Sequence, residues 1–272
     1  MRALSAPAVA WPSLLLAAAA LGAWATGLWL GASGVAPAAA AVALCALAAY
    51  VAFTPMHDAS HRSLFARARW GNELVGRVVA LPLWAPFPMF RYVHLEHHKH
   101  TNEDGADPDA WSGGGRRWTL PLRWLTQDLH YVGWYARAGR PRRELVDATL
   151  SFGAMLALAG GLLAAGYGRE VLLFWVLPSR LAVGVLAFAF DWLPHRPHRV
   201  SAREDRLRAT SATEGRLWYV LSLGQSLHLV HHLYPGVPFY RYATLWRERV
   251  CELVASHQRA PAAPVDVEAP PA

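Results

Sequence analysis

Eight of the thirteen histidines of this chain fall into three tight groups. His57 and His61 stand four residues apart in His57-Asp58-Ala59-Ser60-His61. His94, His97 and His98 fill His94-Leu95-Glu96-His97-His98, and His228, His231 and His232 repeat the pattern in His228-Leu229-Val230-His231-His232. At helical spacing, positions three and four apart share a face, so each group presents its imidazoles together. One metal ion cannot take eight neutral imidazoles; two ions with about four protein ligands each can, with positions left for oxygen. Imidazole suits zinc, copper, nickel and iron alike, so the spacing does not name the metal. A zinc hydrolase is disfavoured because no His-Glu-x-x-His occurs. Transmembrane haem ligation would want histidines inside apolar segments, and none lies deep within one. A lone pair such as His57 and His61 is more often structural than ligating; repetition of the pattern carries the metal reading.

The remaining histidines divide by position. His195, in Asp191-Trp192-Leu193-Pro194-His195-Arg196-Pro197-His198, stands where the last apolar block ends, evenly balanced between a ninth ligand and a structural role at a proline turn. His198 is expected to be solvated and His100 to lie exposed on a basic loop, while His130 and His257 have no cluster around them and are expected at the surface. Metal-bound imidazoles usually donate their second nitrogen to a carboxylate or carbonyl, which makes Asp58, Glu96 and Asp191 candidate orienters by position. Asp107 and Asp109 either join them or order the loop as turn residues.

Elements able to position such groups follow from the hydropathy pattern. The chain has 272 residues and is 54% hydrophobic, and the excess falls in blocks at residues 8–31, 36–55, 145–166 and 171–190. Each approaches the roughly 20 residues that cross a bilayer. The first runs well past a normal signal-peptide core and is expected to be a span rather than a cleaved leader. A fifth stretch, Val75 to Phe90, is cut by Pro82, Pro86 and Pro88 and is expected to dip into the membrane or lie at its interface. The net charge of +7 would suggest a nucleic-acid binder. Its arginines instead lie mostly in segments 62–77, 91–143 and 196–259, which alternate with the apolar blocks and place those segments and both chain ends on the cytoplasmic side. The partner of this charge is anionic lipid, and no nucleic acid is expected. Every histidine group falls on that same side. The groups would meet just outside the bilayer if the second and fourth spans continued as helices with the middle segment between them. The fold expected is an all-α integral membrane protein of about four transmembrane helices, plus the dipping or interfacial segment and a cytoplasmic histidine-rich cap. Residues 1–257 form a single domain in this reading, and 258–272, rich in Ala and Pro, a disordered tail. Cys45 and Cys251 are too separated in environment to pair.

The three groups match the histidine boxes of the membrane fatty-acid desaturase superfamily of non-haem di-iron enzymes, which the chain resembles over roughly residues 50–245. Within it, three strings are similar to the desaturase-like β-carotene hydroxylases of cyanobacteria and related bacteria. These are Val93-His94-Leu95-Glu96-His97-His98 with Asn102 and Asp107-Pro108-Asp109, then Phe190-Asp191-Trp192-Leu193-Pro194-His195-Arg196-Pro197, then Gly224 through Pro235 around the third group. Carotenoid ketolases share the Leu-Pro-His-Arg-Pro element and the box layout. The resemblance implies two iron ions that activate molecular oxygen against an unactivated C–H bond. It implies His57, His61, His94, His97, His98, His228, His231 and His232 as catalytic iron ligands, with His195 as the ninth. It further implies β-carotene as substrate, hydroxylated to β-cryptoxanthin and zeaxanthin, with acyl-lipid desaturation or hydroxylation and β-ring ketolation as the alternatives. The chain carries no flavin, haem or iron–sulfur motif, so a separate electron donor such as ferredoxin is implied. A bacterial inner membrane, with the active site facing the cytoplasm, is the expected location.

Overall fold

The computed structural model describes residues 5–259. Among the described residues, four helices are long and apolar enough to cross a membrane: α1 (Trp11–Ser33), α2 (Ala38–Ser60), α7 (Arg142–Ala164) and α8 (Gly168–Trp192). Between α2 and α7 come α3 (Arg69–Ala80), α4 (Phe87–His100), α5 (Leu120–Leu125) and α6 (Gln127–Arg137). After α8 a long run of turns leads to α9 (Arg216–Leu221), α10 (His228–Leu233) and the terminal α11 (Cys251–Arg259). The four expected spans are present, shifted at their ends by a few residues. Helix α11 runs to Arg259, two residues into the stretch expected as a tail; residues 260–272 lie outside the described residues.

Local chemistry sets the boundaries. Pro37 precedes the first turn of α2 and Pro141 that of α7, positions where the missing N–H costs no helical bond. Gly34 closes α1 in the left-handed conformation at φ 70°. The hairpin of α1 and α2 packs through small residues: a Cβ on Gly27 would stand 2.5 Å from Cys45 Sγ. Such close approach of backbones is how helices associate where lipid offers no hydrophobic contrast. Leu15 on α1, Leu150 on α7 and Leu172 on α8 remain exposed, as lipid-facing positions should. Helices α2 and α8 are the more enclosed pair among the four spans.

The proline-broken segment is not one helix. Helix α3 ends in the short turn Leu81–Leu83, Trp84 takes φ 55°, and the chain restarts as α4 after Pro86. Phe87, fully buried, fits against Gly76, where a Cβ would meet its ring at 2.3 Å. Arg77 on α3 donates to Asp147 at 2.7 Å and to Ser151 at 2.6 Å, fastening this pair of helices to α7. Helix α2 does continue through the first histidine group, with Pro55 inside it and His61 at its C-cap. Helix α8 does not carry the third group: it stops at Trp192, before Pro194 and Pro197, which cannot continue a helix ladder. The third group instead sits on its own six-residue helix, α10.

Candidate metal centre

Nine imidazoles from α2, α4, α10 and the turn after α8 gather in two adjoining groups. His57, His61, His94, His98 and His231 form the first, and His97, His195, His228 and His232 the second, with the ligand-capable atoms of each group within 4.8 Å of one another. In the first, His57 Nε2 lies 3.0 Å from His231 Nε2, His61 Nε2 2.8 Å from His94 Nε2, and His98 Nε2 2.7 Å from His231 Nε2. In the second, His228 Nε2 is 3.0 Å from both His195 Nε2 and His232 Nε2, and His97 Nε2 is 3.4 Å from His232 Nε2. All nine residues singled out from sequence are brought together, His195 included.

The partition has a helical cause. Residues four apart stack on one face, while the residue at three is rotated to the other side of that stripe. On α4 the four-apart pair His94 and His98 serves the first group and His97 the second. On α10 the pair His228 and His232 serves the second group and His231 the first. The two His-x-x-His-His strings therefore each span both groups, in opposite senses.

Burial and mutual repulsion determine the protonation. Burial, with the neighbouring imidazoles, pushes His61 and His228 down to about 3 and His94, His98, His195, His231 and His232 well below the ordinary histidine value. These rings are neutral at pH 7 and present lone pairs. His97 differs. Burial works to lower it, but Asp107, Asp109 and Asp191 outweigh burial and hold it at about 9. Its Nδ1–H donates to Asp107 Oδ1 at 2.8 Å, with Asp109 Oδ2 at 3.4 Å. His231 Nδ1 is paired with the Tyr242 hydroxyl at 3.0 Å.

A metal ion fits this donor set. Neutral imidazoles facing one another through Nε2 in a buried space cannot all be satisfied by hydrogen bonds, because a facing pair needs one donor and one acceptor. Donors at right angles around an ion, with bonds of about 2.1 Å, stand roughly 3 Å apart, matching the observed Nε2 separations. Imidazole alone does not distinguish iron from zinc or copper.

Of the candidate orienters, Asp107 does both things proposed for it. It holds His97, and it orders the loop by accepting from the backbone N–H of Asn102 at 2.7 Å and of Asp109 at 2.9 Å. Asp109 accepts from Tyr131 Oη at 2.6 Å. Burial pushes its carboxyl up to about 6. Asp58 instead accepts from Ser13 Oγ at 2.6 Å and from the Phe239 N–H at 3.3 Å, tying α1 and the C-terminal segment to α2. One residue on from His57, it points about 100° around the helix. Glu96 faces away for the same reason and pairs with Lys99. Asp191 lies 3.5 Å from Tyr131 Oη. His198 is half-buried beside His195 rather than solvated, His100 pairs with Glu103 at 2.8 Å, and His130 is half-buried on the Trp111 ring; His257 is exposed, as expected. Tyr242 and Tyr131 have no sequence signal, since a tyrosine outside a recognisable pattern can serve anywhere.

Both groups border a cavity of about 410 Å³. His57 and His94 reach it from the first, His97 and His228 from the second, and most of its wall is apolar, with Phe53, Met89, Phe90 and Phe190 among the lining.

The family model for fatty acid desaturases matches residues 33–260. The chain belongs to the fatty acid desaturase family. Among its relatives, the sn-1 oleoyl-lipid 12-desaturase of Synechocystis sp. is 28% identical over 217 residues, covering 70% of this chain and 61% of that protein. The Beta-carotene ketolase of a Paracoccus sp. is 33% identical over 198 residues, covering 70% of this chain and 71% of the ketolase. The Beta-carotene ketolase of Haematococcus lacustris is 27% identical over 197 residues, covering 70% and 56%. This desaturase-family chain thus spans less than two thirds of the Synechocystis desaturase's length. The similarities divide between desaturases and ketolases rather than singling out the hydroxylases expected from the sequence strings. Family membership, the clustered imidazoles and the four apolar helices together describe an integral membrane chain with a candidate metal site.

Proposed function

We propose that the chain oxidises the β-ring of a carotenoid with molecular oxygen, forming a ring ketone, and that its metals are two iron ions. His57, His61, His94, His98 and His231 would hold one iron and His97, His195, His228 and His232 the other. The single observation that carries this reading is the apolar cavity bordered by both imidazole groups, which suits a lipid-soluble substrate. The Paracoccus ketolase, 33% identical and covered over 71% of its length, supports this reading, and the similarity to the Synechocystis desaturase makes acyl-lipid desaturation the alternative. Hydroxylation of the same ring makes the same demands on the cavity and differs in which ring carbon is offered and in stopping after one oxidation.

Bound iron would supply activation of oxygen against an unactivated C–H bond. The chain's own residues do the rest. Phe53, Phe90 and Phe190 pack with ring centroids 5.3 to 5.8 Å apart and give the ring an apolar wall that excludes water. Asp107 fixes the His97 ring through Nδ1 and leaves Nε2 directed at the second group. Each oxidation consumes one dioxygen, two electrons and two protons, puts one oxygen on the carbon and releases one water. Two rounds at one carbon give a geminal diol that loses water to the ketone. The electrons come from a separate donor, such as ferredoxin, on the cytoplasmic side.

The test is expression in a β-carotene-accumulating bacterium, with the extracted pigments separated by chromatography and mass detection. Echinenone or canthaxanthin that vanishes with His231→Ala is the expected result. Zeaxanthin would make the chain a hydroxylase. Unchanged pigment, in cells containing the folded protein and a working donor, would transfer the assignment to acyl lipids.

A further inference from the structure

Two glutamines in the cavity wall have no role in holding metal. Gln127, at the start of α6, and Gln225, three residues before His228, are 2% and 1% exposed, and both line the cavity. Neither the amide oxygen nor the amide nitrogen of Gln225 has a hydrogen-bond partner among the described residues, and Gln127 has no more than the Tyr131 hydroxyl beside it. Burying an amide short of partners is costly, and two beside the same apolar space call for a ligand that pairs with them. Other polar groups there are already engaged. Tyr131 donates to Asp109, Arg180 is paired with Asp128, and Ser179 donates to the Val176 carbonyl. Trp84 adds an indole N–H that is also buried without a partner.

The charge of the wall limits what the amides can meet. Of its cationic side chains, Arg180 is paired with Asp128 and His97 with Asp107 and Asp109, and Asp191 borders the same space. A carboxylate or phosphate end would find no unpaired cationic side chain in that wall. A purely hydrocarbon end would leave both amides short of partners. A neutral oxygen needs no cation and pairs with the amides, since a primary amide can donate to it and accept from it.

We propose that the cavity is built for a substrate end that already bears a neutral oxygen, a hydroxyl or a ketone, held by Gln225 and Gln127. The inference rests on the carotenoid reading and sharpens it: the preferred substrate is a ring already oxygenated once, so an earlier oxygenation must supply it. That earlier step is the work of another enzyme or of this site's own first turnover. Gln225 and Gln127 are specificity residues in this scheme, in contact with substrate rather than with metal.

The test uses the full-length, iron-loaded chain in detergent, held without oxygen so that no turnover occurs. It is equilibrated with a β-ring polyene free of oxygen, or with its ring-hydroxylated counterpart, and the retained polyene is measured by absorption. The hydroxylated polyene should bind roughly tenfold tighter, the loss expected when a site's hydrogen-bonding groups go unpaired. Gln225→Leu and Gln127→Leu should each remove most of that preference, by weakening the hydroxylated polyene more than the oxygen-free one. Iron content and a thermal melt report folding, and either variant alone suffices if the other does not fold. Equal affinity for the two polyenes, or variants that weaken both alike, would overturn the inference and leave ring oxidation standing. Retention of an acyl lipid and of neither polyene would overturn both.

Discussion

The two imidazole groups adjoin one another, share two helices and differ in their surroundings. The first has five histidines and is backed by a phenol, Tyr242, on His231. The second has four histidines and is backed by carboxylates, Asp107 and Asp109 on His97. Ligand number and outer support thus trade against each other. A carboxylate behind an imidazole raises its basicity and fixes its ring, which a neutral hydroxyl does less strongly. The group with fewer donors has the stronger backing.

Removing one donor from each group gives the largest expected effect. His195→Ala and His228→Ala each leave three imidazoles and should each empty the second group, seen as a loss of about half the bound metal by elemental analysis. His61→Ala, at the half-buried edge of the five-fold group, should retain more metal than either. Equal losses from all three variants would dissolve the distinction between the groups.

Weakening the backing comes next. Asp107→Asn keeps a neutral acceptor but removes the charge, and should cost about 10- to 100-fold in metal affinity by chelator competition. Tyr242→Phe should cost less, under about tenfold. The reverse order would show that the phenol, not the carboxylate, is the stronger support. Asn102→Ala should give a smaller loss in the same direction. Its side chain donates to the Val200 and Ala209 carbonyls, at 2.8 and 2.7 Å, and so holds in place the loop that presents Asp107.

The smallest effect is on the pH dependence of metal-free stability. His61 and His228 are held down to about 3 in the folded chain, against an ordinary value of 6.5. Below 6.5 the unfolded chain takes up protons that the folded chain does not, so stability is full above 6.5 and falls as the pH drops toward 3. His97, held up at about 9, works the other way: its contribution is complete below 6.5 and is lost as the pH rises through 9. Denaturant midpoints of the metal-free chain from pH 4 to 10 should therefore fall at the acid end, steeply because several depressed histidines act together, and fall weakly at the alkaline end. Asp107→Asn should flatten the alkaline limb alone.

Much of this was legible in the sequence, because the bilayer imposes a length and the helix a period. Four apolar blocks of about span length became four helices, and the nine histidines singled out as candidates lie in the two groups. Spacing alone put His94 and His98 on one stripe. Other features depend on segments distant in the chain. Which group each histidine joins was decided by how α4 and α10 face one another, since a residue three along a helix can serve either neighbour. Asp58 and Asp107 are both acids near histidines in sequence, yet one is turned toward Ser13 and the other toward His97. Gln127 and Gln225 are unremarkable as residues, and they became informative when the fold buried both amides in one apolar wall. The sequence by itself determined the chemistry available and the helices that carry it, through local periodicity and hydropathy. Only the tertiary structure decided which donors meet, which carboxylate stands behind them and what the cavity asks of its occupant. Each of those is a distance between residues far apart in the chain, and no local pattern encodes it.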